Sequence, residues 1–123
     1  MKTLSTDTAA AALGVDRKIL DNVLAREGRS LIAKGSRGMR RRIPLDALER
    51  IAIAFILNRD LGISIERGIE LAGRILDSPA QHVSIGSLGA LTFDAPRLRK
   101  ALELSIYEAL ESVPERTRGR PRS

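Results

Sequence analysis

The stretch T6-D-T-A-A-A-A-L-G-V-D-R-K-I-L-D-N-V-L-A-R-E27 holds two short helical patterns separated by Gly-Val-Asp. Ser5 or Thr6 can cap a first helix of about two turns ending at Leu13, and Gly14 suits the left-handed residue that closes it. Asp16 stands where a second N-cap belongs. Behind it, Ile19, Leu20, Val23 and Leu24 recur at one-face spacing, and Gly28 marks the expected stop. Ala10, four residues before Gly14, is small enough to let the helices approach, while Val15 can plug the angle between them. Two short helices meeting at so tight a turn follow the logic of a helix-turn-helix.

Downstream, R29-S-L-I-A33, the turn-rich K34-G-S-R-G38 and M39-R-R-R-I43 read as a small β-hairpin with a basic tip. From Arg29 to Ile43 there are six basic side chains and no acidic one. Pro44 ends the second strand and opens a helix to Leu61, with Leu45, Leu48, Ile51, Ala52, Phe55 and Ile56 on its apolar stripe. Gly62 closes that helix, and Ser64 caps another over residues 65–76 with Ile63 placed to staple against it. V83-S-I-G-S-L-G-A-L-T-F93 suggests a hairpin about a glycine-rich turn, and Asp94 with Pro96 starts a last helix to about Val113. The seam of that helix, Leu98, Ala101, Leu102, Ile106, Ala109, Leu110 and Val113, can dock on its own domain or pair two chains.

Composition sets outer bounds. The chain has 123 residues, 43% of them hydrophobic, with two Phe, one Tyr and no Trp, so one domain with an aliphatic, mainly helical core is expected. No cysteine is present, which removes disulfides, thiolate metal sites and a cysteine nucleophile. The most apolar run, residues 51–57, is too short for a bilayer and is flanked by Arg50 and Arg59. A soluble, cytoplasmic protein is expected. Residues 1–76 carry 14 Lys/Arg against 9 Asp/Glu, residues 77–113 carry 3 against 5, and residues 114–123 carry 4 against 1, giving +5, −2 and +3 and a total of +6. Such a balance points to a polyanionic partner, nucleic acid before membrane.

The order of helix, turn, helix, basic hairpin and R41-R-I-P-L-D-A-L-E-R-I51, followed by L57-N-R-D-L-G-I-S-I-E-R-G-I-E-L71, resembles the winged helix-turn-helix domain of MerR-type regulators and their excisionase-like relatives. The resemblance spans about residues 4–76 and rests on Ala10, Gly14 and Val15, on Arg41, Arg42 and Ile43, and on Leu61 to Glu66. It implies a DNA-binding domain over residues 1–76; the apolar seam and the charge distribution add a docking or dimerisation extension over 77–113 and a disordered basic tail over 114–123. Double-stranded DNA is then the partner, a homodimer the assembly, and transcription regulation or DNA architecture the role. Members often carry Arg and aromatic residues midway along the recognition helix, where this chain has Asp21, Asn22 and Val23. Sensing members use distal cysteines, so neither a cofactor nor a small-molecule effector is expected.

On this reading the helix from Arg17 to Glu27 enters the major groove, with Arg17, Lys18 and Arg26 as its cations. Asn22 is the base reader, because its amide can donate to and accept from adenine at once. Asp21 either accepts from cytosine, orients a neighbouring arginine or points away. Lys34, Arg37, Arg40, Arg41 and Arg42 of the wing grip phosphates, which supplies affinity without sequence information.

Other chemistries find little support. His82 has no second His or Cys nearby in sequence for a metal, and G86-S-L-G89 lacks the lysine of a phosphate loop, so an enzyme is not expected. T117-R-G-R-P-R122 resembles an AT-hook, with Arg118 and Arg120 entering an A·T minor groove; a plain basic tail is the competing reading. A protein-interaction module, antitoxin-like or a phage-accessory subunit working through its last helix, is the alternative function.

Overall fold

Ser5 caps the first helix in the computed structural model, which describes residues 3–31, 42–78 and 81–112. Its hydroxyl accepts from the Thr8 N–H at 3.2 Å, satisfying one of the donors that a helix start leaves open. Helix α1 (Thr6–Leu13) ends at Gly14 with φ +74°. There the Gly14 N–H donates to the carbonyls of Ala10 and Ala11, and the Val15 N–H donates to Ala10 at 3.0 Å. Helix α2 (Arg17–Leu31) follows at once, its first turn closed by N–H groups of Ile19 and Leu20 donating to the Asp16 carbonyl.

Helix α2 does not stop at Gly28. It runs one turn further because Leu31 falls seven residues after Leu24 on the inward face and is buried with it. A glycine inside a helix costs about 1 kcal/mol, less than the roughly 1.5–3 kcal/mol from burying a leucine. Residues 29–31 are therefore helical and form no hairpin strand.

The strand expected near Ile43 exists as β2 (Arg42–Pro44), but its partner is different. It pairs antiparallel with β1 (Thr3–Ser5), Leu4 facing Ile43 in register. Leu4 and Ile43 are fully buried, so this small sheet is pinned by its own two core residues. Residues 32–41, where the wing tip falls, lie outside the described residues.

Helix α3 (Leu45–Leu61) opens at Pro44 and closes at Gly62, φ +73°, whose N–H donates to the carbonyls of Leu57 and Asn58. The expected stripe is only part of what it buries. Leu48, Ile51 and Ala54 join Leu4, Leu20, Leu24 and Ile43 in one core, while Ile53 and Leu57 face a second core on the other side. A helix buried on two faces carries no single stripe. Helix α4 (Ile65–Asp77), capped by Ser64, supplies Leu71, Ala72 and Ile75 to the second core. Gly68 lets α4 press against α3: a Cβ there would lie 3.0 Å from the Ala54 Cα.

The predicted hairpin forms from β3 (His82–Ile85) and β4 (Gly89–Thr92), and Val83 seals the second core. Asp94 then caps α5 (Ala95–Ser112) by accepting from the Arg97 N–H at 3.1 Å. The seam of α5 is turned inward. Leu102 and Ile106 belong to the same core as Ala9 and Ala10, and Leu98 packs on the second core, so the helix docks on its own chain. Arg99 reaches Glu49 of α3 at 2.6 Å and ties the outer edge of that contact. The architecture is mainly helical, with two small antiparallel sheets among the described residues.

Candidate nucleic-acid interface

Helix α2 turns Leu20, Val23, Leu24 and Leu31 inward, and this decides which side chains it can offer outward. Lys18, Asn22, Ala25 and Arg26 are exposed. Lys18, Asn22 and Arg26 recur every four residues, so they form one row along the helix. The row combines two cations with one amide that can both donate and accept.

Arg17 is placed otherwise. Its guanidinium lies 2.9 Å from Asp7 of α1 and 3.5 Å from Asp21, one turn along its own helix. Two carboxylates thus hold it across the α1–α2 turn, and Asp21 orients an arginine, one of the three roles its position allowed. The pair is solvated and worth at most about 1 kcal/mol. Its main effect is to tie the start of α2 to α1.

Arg42 is also engaged. Its Nε donates to Thr3 Oγ1 at 3.2 Å and its Nη2 to the Thr3 carbonyl at 3.4 Å, bracing β1 against β2. A basic side chain expected on phosphate thus closes the sheet that starts the domain. Lys34, Arg37, Arg40, Arg41, Arg118 and Arg120 lie outside the described residues.

Beside the row runs an open groove of about 240 Å³, lined by Ile19, Asn22, Val23 and Arg26 of α2, Phe55 of α3 and Ile65 of α4, with Glu27 and Glu66 on its wall. Ile19 departs from the sequence expectation: it is 46% exposed, where the one-face spacing had put it in the core. The signal was present in the repeat from Leu24 to Leu31, which centres the buried stripe away from Ile19. Neither Phe55 nor Ile65 could be assigned to this groove from local sequence, because they reach it only once α3 and α4 pack beside α2.

Among the described residues no group of three or more His, Cys, Asp or Glu could hold a metal ion, and no helix is long and apolar enough to cross a membrane. His82 is exposed on β3. No family model, curated protein or solved structure matches the chain significantly. The class that can be stated from the fold is a mainly helical protein of five helices among the described residues, presenting a basic and amide-bearing face on its second helix.

Proposed function

We propose that this chain is a small double-stranded DNA-binding protein of the winged helix-turn-helix type, a transcription regulator or DNA-architectural factor, with α2 as its recognition helix. The observation that carries the reading is the exposed row of Lys18, Asn22 and Arg26 on a helix held from behind by its apolar face and from the side by the α1 turn. A recognition helix needs that combination: a rigid back, so that its side chains reach base edges in a fixed register, and a polar front. Asn22 reads adenine, and Lys18 and Arg26 meet phosphate or guanine on either side. The basic segment 34–41 and the arginine-rich end add phosphate attraction. A cytoplasmic location accords with this role.

Because the α5 seam packs within the chain, a homodimer on DNA must use another surface. The outer face of α5, where Leu104 and Tyr107 are exposed, favours a second reading as a protein-interaction module. Selection of bound sequences from random duplex DNA tests the first reading. One enriched motif containing adenine is expected, and Asn22→Ala should weaken binding to it by roughly 1–3 kcal/mol while leaving random duplex almost unaffected. Equal losses on both duplexes remove Asn22 as a reader, and no enriched motif removes the function.

A further inference from the structure

Ile19 is an apolar side chain left 46% exposed on the edge of α2, beside its buried stripe. Leu20 next to it is fully buried, and the core that α2 joins is built from Leu20, Val23, Leu24 and Leu31 and does not include Ile19. It stands on the same edge of α2 as Asn22, three residues on, and Arg26, seven residues on, and all three line one groove. Resting on the DNA-binding reading above, we infer that Ile19 is a specificity residue that packs against the 5-methyl group of a thymine neighbouring the adenine read by Asn22.

The chemistry follows from what the major groove offers. Thymine is distinguished there by its C5-methyl group, which a side chain can recognise only by apolar contact. Base contacts come mainly from the N-terminal half of a recognition helix, and Ile19 is the third residue of α2. Lys18 and Arg26 lie on either side of it in sequence, so a polyanion drawn to those cations brings the base edges against the isoleucine. Glu66 of α4 also lines the groove, so negative charge on the α4 side favours placing a polyanion along the α2 edge. Ile19 and Asn22 together then read an adjacent thymine and adenine, one by shape and one by hydrogen bonds.

Uracil differs from thymine by that methyl group alone, which gives a direct test on the full chain. The duplex enriched from the random pool is remade with each thymine replaced singly by deoxyuridine, and affinity is measured for the unmodified protein, Ile19→Val and Ile19→Ala. At one position uracil should weaken the unmodified protein about fourfold, the factor corresponding to about 0.8 kcal/mol for a buried methyl group. At that position Ile19→Ala should bind the thymine and uracil duplexes equally, with Ile19→Val in between. Thermal unfolding of each variant separates loss of contact from loss of fold, and the valine variant keeps the branched surface while removing one methyl group.

If the motif is enriched but no uracil effect depends on Ile19, this inference is overturned and the DNA-binding reading stands. If no motif is enriched, both fall together. Binding of an apolar peptide that is lost in Ile19→Ala, with uracil indifferent throughout, assigns the groove to a protein partner and also overturns the inference.

Discussion

Three glycines in helices look alike in the sequence and differ in what surrounds them. At Gly28 an added Cβ meets nothing within 4 Å, and the backbone is already helical. Gly28→Ala should therefore stabilise the protein by about 0.5–1 kcal/mol, read as a higher urea midpoint at unchanged slope. At Gly68 the same methyl group would sit 3.0 Å from the Ala54 Cα and 3.1 Å from its Cβ. Backbone cannot move aside as a side chain does, so Gly68→Ala should cost about 1–3 kcal/mol in the same measurement. Gly73 lies between these cases, because its methyl group would meet the guanidinium of Arg50, whose Nη2 donates to the Ile69 carbonyl at 3.3 Å. Its cost should fall below that of Gly68. None of this ranking can be read from the chain, since all three residues stand in similar polar and apolar company.

The elements were legible wherever a stop or start signal was local. Gly14, Gly62, Ser64 and Asp94 each do what their type and position predict, because a cap acts on groups within four residues. Gly28 failed as a stop because the decision was taken by Leu31 packing in the core, beyond the reach of local preference. The role of α5 was open for the same reason: an apolar seam states that something covers it, and only the packed chain says what. Two substitutions separate the contributions along α5. Leu102→Ala should lose about 2–5 kcal/mol in equilibrium unfolding, since it empties a site in the main core. Arg99→Ala should lose less than about 1 kcal/mol, because the arginine is half solvated although Glu49 is largely buried. A larger loss from Arg99→Ala than from Leu102→Ala would mean that the ion pair, and not the seam, holds α5.

At the scale of the whole molecule, charge and fold divide the basic side chains into two sets. Arg17 and Arg42 are held by Asp7, Asp21 and Thr3 and serve the motif's own geometry. Replacing Arg40 and Arg41 together by Ala should reduce the slope of log affinity against log salt by up to about two, one unit per phosphate contact, while Arg42→Ala alone should chiefly lower stability. A slope unchanged by the double substitution would show that this segment does not touch DNA. By itself the sequence determined the two helices about the Gly14 turn, the caps at Ser5, Ser64 and Asp94, the aliphatic core and the positive charge, because each depends on residue type and short-range separation. Only the tertiary structure decided that Arg42–Pro44 pairs with Thr3–Ser5, that α3 is buried on two sides and that α5 packs inward. Those outcomes come from contacts between residues tens of positions apart, where the favourable term is the total apolar area removed from water, and no local window contains that sum.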